Sequence, residues 1–190
     1  MSVKCWKTSL SRLLNQSTSE NKRIAIVGIG NEMRGDDAAG MLVAQYLHVR
    51  IGNNANLLVI EGGHAPENAT GALRKFSPDF VLLIDAADMG EEAGTIALIP
   101  MEQIDGISAS THSLPLSMLT RYLTLELNCE VALLGIQSKS VEMGASVSDE
   151  VNQAVKDVVE EIFMLWSEDF SNPASMTMRG TISSQPTAIR

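Results

Sequence analysis

Cysteine is nearly missing from this chain of 190 residues: Cys5 and Cys129 stand alone, with no Cys-x-x-Cys pair. A disulfide scaffold or a structural zinc knuckle is therefore not indicated. Basic runs are missing too. Lys and Arg number 14 against 23 acids, for a net charge of -9, which speaks against a nucleic-acid partner and against docking on anionic lipid. No apolar run approaches the ~20 residues that a membrane-spanning helix needs, so no membrane insertion is expected. Near the start, Leu10, Leu13 and Leu14 are split by Ser11 and Arg12, so no signal-peptide core forms. A reduced, cytoplasmic monomer is the expectation.

What the chain does have is an ordinary globular balance, 45% hydrophobic and 19% charged, at a length that suits one domain with a sizeable core. Residues 1–22 read as an N-terminal extension. Trp6, Leu10, Leu13 and Leu14 could line a short helical face, but the polar stretch from Asn15 to Asn21 favours a poorly ordered terminus. Residues 170–190, rich in Ser, Thr and Pro and without periodicity, read as a disordered tail. Residues 23–169 carry the domain.

Strand and helix patterns alternate from Arg23. Strands are expected at Ile24 to Ile29, Leu57 to Glu61, Phe80 to Ile84 and Val131 to Ile136, with Gly62-Gly63 as a turn. The third is apolar on both parities, as a central strand covered on both faces should be. A short run from Thr95 to Ile99 follows too closely for a crossover helix, so it is expected to be antiparallel and at an edge. Helices are expected from about Asp36 to His48, from Pro66 to about Ser77, from about Ser113 and Pro115, and from Ser148, an N-cap, to about Trp166. The whole reads as a three-layer α/β/α domain with a twisted, mostly parallel sheet, one antiparallel edge strand and helices on both faces.

In such sheets ligands gather beyond the carboxyl ends of the strands. The first strand runs into Gly28-Ile-Gly-Asn-Glu-Met-Arg-Gly-Asp-Asp-Ala-Ala-Gly40, a turn that looks like a nucleotide loop. Two features withdraw that reading. No Gly-Lys-Ser/Thr follows, and Met33 stands where the third glycine of a dinucleotide fingerprint belongs. Acids and histidines collect at this edge instead: Asp36, Asp37, Glu61, His64, Asp85, Asp88 and His112, with Gln137 at the end of the last strand. Carboxylates with imidazole suit a borderline divalent cation such as zinc or nickel. Asp37, Asp85 and His112 are the candidates, one from each of three strand-end loops.

Each has a plainer reading. Asp36 is open between a site group and an acid complementing a helix dipole, whereas for Asp37 the site reading leads. Asp85 ends a strongly apolar strand, where a carboxylate needs a reason. His112 alone could simply cap a helix, His48 reads as surface, His64 is ambiguous, and Cys129 reads as core. Asp88-Met89-Gly90 with Glu91-Glu92 reads as turn and solvated charge.

Taken in order, the Gly-x-Gly-Asn turn, Asp36-Asp37-x-x-Gly40, Glu61-Gly-Gly, the strand reaching Asp85, and Thr111-His112 resemble the nickel–iron hydrogenase maturation endopeptidases. Ala65-Pro-Glu-Asn68, Asp88-Met-Gly90, Thr111-His-Ser-Leu-Pro-Leu116 and Gly135-Ile-Gln137 resemble the branch serving formate-hydrogenlyase-type hydrogenases. The resemblance spans roughly Arg23 to Trp166. It implies a five-stranded sheet and an endopeptidase that removes a C-terminal extension from the hydrogenase large-subunit precursor after nickel insertion. It also implies that Asp37, Asp85 and His112 contact the nickel carried by the substrate; zinc or cadmium could take the same place. Two departures are Glu61, where Asp is more usual, and His64, which could approach as an extra ligand.

Two alternatives share these residues. A non-catalytic nickel-binding chaperone would use the same site without cutting a bond. A receiver-type signalling domain would phosphorylate Asp85 beside Lys139, but its acid pair would directly follow strand one, where here the Gly-x-Gly-Asn turn intervenes.

Overall fold

The computed structural model describes residues 3–15, 22–52, 54–100, 103–104 and 115–170. Five strands form one sheet: β1 (Ile24–Ile29), β2 (Leu57–Gly63), β3 (Phe80–Ala87), β4 (Ile96–Ile99) and β5 (Glu130–Gln137), in the order β2-β1-β3-β5-β4. The first three and β5 run parallel, and β4 pairs antiparallel with β5 at the edge. This is the expected sheet. The short link between β3 and β4 leaves no room for a crossover, so the chain can only turn back.

The helices are α1 (Val3–Asn15), α2 (Ala39–Ile51), α3 (Thr70–Phe76), α4 (Leu116–Leu127) and α5 (Asp149–Phe170). Strand alternation divides the core in two. Ile24, Ile26, Leu82 and Ile84 face α1, α2 and α5, meeting Leu10, Val43, Leu47, Val155 and Ile162. Ala25, Val27, Val81 and Leu83 face α3 and α4, meeting Leu73, Leu119, Leu123 and the expected core thiol of Cys129. Every residue of β1 and β3 is buried, which is why β3 reads as apolar on both parities.

Two expectations are corrected. The N-terminal stretch is a helix docked on the sheet: Trp6 and Leu10 are buried, Lys7 pairs with Glu161 at 2.9 Å, and Lys22 Nζ donates to the Leu13 and Leu14 carbonyls. The apolar stripe outweighed the polar linker, because burying two large side chains offsets the cost of ordering the segment. Gly62-Gly63 is not a turn. It continues β2 through a bulge, since Gly28 pairs with Glu61 and Ile29 with Gly63. The tail expected to be disordered lies outside the described residues from 171 onward.

Candidate functional site

The carboxyl ends of β1, β2, β3 and β5 meet at one sheet edge, and there the chain buries three carboxylates. Asp36, Asp37 and Asp85 are each only 1% exposed. Asp85 lies inside β3, opposite Gly135 of β5, rather than just past the strand end. Alternation puts it on the side of Leu83 and Ala87, the face that α3 and α4 cover.

Asp37 is delivered by a single turn of 3-10 helix, Gly35–Ala38, packed against β3. Gly30 makes this possible. It has a φ of 136°, and a Cβ there would lie 1.8 Å from the Asp37 carbonyl oxygen. Asn31 N–H donates to that same oxygen at 3.2 Å. The helix that follows is equally close: a Cβ on Gly40 would stand 2.1 Å from the Ile84 carbonyl oxygen and 2.4 Å from that of Ile29. These glycines let the Asp37 turn sit against the strands; Gly30 and Gly40 are filled by the protein's own backbone.

Asp36 does more than complement a helix dipole. Its carboxylate accepts hydrogen bonds from Lys139 N–H at 2.7 Å, Ser140 N–H at 3.1 Å, Ser148 N–H at 2.7 Å and Ser148 Oγ at 3.1 Å. Its own N–H donates to the Ser140 carbonyl at 2.9 Å. Arg34 Nε on the Val141 carbonyl and Gly144 N–H on the Met33 carbonyl extend the seam. The loop after β1 is thus tied to the loop after β5. Ser148 does immediately precede α5, as an N-cap should, but its hydroxyl is committed to Asp36.

On the other side of β5, the buried Gln137 binds the loop after β3. Its Oε1 accepts from Met89 N–H at 2.6 Å and Glu91 N–H at 3.3 Å, while Nε2 donates to Asp88 Oδ1 at 3.4 Å. The stretch expected to be mostly turn and solvated charge is held in place by an interior amide.

Among the described residues, the remaining acid and histidine candidates are exposed. Glu61 is surface, and its carboxylate faces Nδ1 of His48 at 3.3 Å and Nε2 of Gln45 at 3.5 Å. His48 is exposed as expected, yet its Nε2 meets the Val59 carbonyl at 2.9 Å and so covers an edge-strand acceptor. His64 is exposed in the turn after β2. Thr111, His112 and Ser113 lie outside the described residues, so two of the three expected metal contacts are placed. Among the described residues no group of three or more His, Cys, Asp or Glu could hold a metal ion. Lys139 pairs with Glu150 at 2.8 Å. That hydrogen bond raises the ammonium's pKa and lowers the carboxylate's, and the lysine a receiver would need is spent elsewhere.

Comparison with known proteins agrees with the fold. The family model for hydrogenase maturation proteases matches residues 41–164. The hydrogenase 3 maturation protease of Escherichia coli is 37% identical over 136 residues, covering 71% of this chain and 83% of its own. A hydrogenase maturation protease from Thermococcus kodakarensis, solved by crystallography, superposes with a TM-score of 0.71 at 31% identity, covering 82% of this chain and 99% of its own. The solution structure of an Escherichia coli endopeptidase gives 0.63 at 34% identity, over 73% and 87%. Over most of its length this chain belongs to the hydrogenase maturation protease family.

Proposed function

We propose that this endopeptidase removes the C-terminal extension of a nickel–iron hydrogenase large-subunit precursor once nickel is in place, and that Asp37, Asp85 and His112 recognise the nickel that the precursor carries. The burial of Asp37 and Asp85 at the edge where the strands' carboxyl ends meet supports this reading. Taking a carboxylate out of water is costly, and an arriving cation offers the opposite charge. Oxygen donors joined by an imidazole suit a borderline divalent ion. Zinc or cadmium would fit the same donors.

In this proposal the metal belongs to the substrate and fixes the scissile bond against the acids. It polarises the peptide carbonyl, and a carboxylate takes the proton of the attacking water. No deep peptide cleft is then required, because selectivity comes from the metal.

Mass spectrometry of the purified precursor's C-terminus tests both halves. Nickel-loaded precursor is cut by the wild-type protein. Nickel-free precursor stays whole, and Asp37→Asn, Asp85→Asn and His112→Ala leave even loaded precursor intact. Equal cutting of nickel-free precursor refutes metal recognition, and metal binding without any cutting makes the protein a chaperone.

A further inference from the structure

We propose that Asp36 is a positioning residue of the active site, acting through Asp37: it clamps the loop after β5 onto the loop after β1 and so holds the neighbouring carboxylate in register with Asp85. The inference rests on the reading of Asp37 as a site group.

Its four partners come from 103 to 112 residues further along the chain. Among the described residues, the Asp36 side chain is therefore the most heavily bonded side-chain crosslink between two loops that no regular strand pairing joins. Backbone hydrogen bonds reinforce the link. The Asp36 peptide donates to Ser140, and the Asp37 peptide donates to Arg34 at 3.1 Å. Through Ser148 the clamp also reaches the start of α5, and α5 packs against α2. Only an ionised carboxylate matches this set, because all four contacts arrive as donors. An amide in its place would set its own N–H against a peptide N–H in either orientation, that of Ser148 or those of Lys139 and Ser140. Displacing a reacting group by about 1 Å can cost on the order of 100-fold in rate.

The test measures kcat and KM on nickel-loaded precursor, with hydrogen exchange at Lys139, Ser140 and Ser148. Asp36→Asn should lower kcat by roughly 100-fold, with KM little changed and those three amides exchanging faster. Ser148→Ala removes one of the four bonds and should lower kcat by about threefold to tenfold; Ser148→Thr, which keeps the hydroxyl, should restore it. Leu10→Ala, remote on α1, should lower the melting temperature without lowering kcat, which separates positioning from general loss of stability. If Asp36→Asn fails to fold, the Ser148 pair carries the test. Wild-type kcat in both Asp36→Asn and Ser148→Ala, with Asp37→Asn inactive, overturns the positioning role alone. Wild-type cleavage by Asp37→Asn overturns the reading of Asp37 and the positioning role with it.

Discussion

Gly40→Ala is the sharpest probe of how the site is built. In an exposed helix interior, alanine in place of glycine gains about 0.8–1 kcal/mol. Here the added methyl would stand 2.1 Å from the Ile84 carbonyl oxygen, 2.4 Å from that of Ile29 and 2.7 Å from the Ile29 nitrogen. Those atoms are backbone in the two central strands, which cannot swing aside as a side chain would. Overpacking a tight site costs about 1–3 kcal/mol and occasionally more; contact with three fixed atoms puts this case at the upper end. After the helix gain is subtracted, a net loss of roughly 2 kcal/mol or more remains, or about 4–8 °C in melting temperature for a chain of this size. Gly71→Ala is the internal control. Gly71 sits in α3 with nothing within 4 Å of its would-be Cβ, so that variant should gain about 0.4–1 kcal/mol. Thermal and urea unfolding followed by circular dichroism read both. If Gly40→Ala is as stable as Gly71→Ala, helix α2 does not lie against β1 and β3 as described. Precursor cleavage should also fall in Gly40→Ala, because the helix it displaces begins directly after the Asp37 turn.

Two further outcomes test the core. Leu10→Ala should cost about 2–5 kcal/mol, because Leu10 is fully buried in the cluster shared with β1 and α5; a loss below about 0.5 kcal/mol, the usual range for surface substitutions, would put α1 outside the core. Burial raises the Cys129 thiol above its ordinary value of 9.0. The folded state therefore keeps its proton where the unfolded chain has lost it. That contribution is present below pH 9.0 and is lost as pH rises through the raised value. Unfolding free energies at increasing alkaline pH should decline more steeply in the wild type than in Cys129→Ala, and equal slopes would refute the assignment.

The sheet was legible because its signals are local. The doubly apolar run from Phe80, the glycine-marked turns and the short approach to Ile96 each carry their meaning within a few residues. Asp85 was legible for a related reason, since a carboxylate in an apolar strand is conspicuous where it stands. Asp36 was not. Its partners lie more than a hundred residues away, and three of its four bonds come from peptide N–H groups, which carry no side-chain signature. Ser148 drew notice as a helix cap, which is the commoner use of a serine there. The docking of α1 was misjudged because the stripe formed by Trp6 and Leu10 suits a frayed surface helix as well as a buried one. Only the packing surface it meets decides.

The likeness of the Gly28–Gly40 stretch to a nucleotide loop has a physical origin. Any helix that starts hard against a parallel sheet needs residues without side chains where the two backbones approach. Phosphate binding requires something further, namely peptide N–H groups left facing outward at the helix start. In this turn they are consumed internally. Asn31 donates to Asp37, Asp36 to Ser140, Asp37 to Arg34, and Gly30 to Gly63. The loop keeps the close packing of a phosphate cradle while spending the donors that would make it one. What it adds to the sheet edge is negative charge from Asp36 and Asp37, of which Asp36 is occupied in binding its neighbouring loop. A turn so built is a poor seat for phosphate, and in the proposed function its Asp37 meets the nickel that the precursor carries.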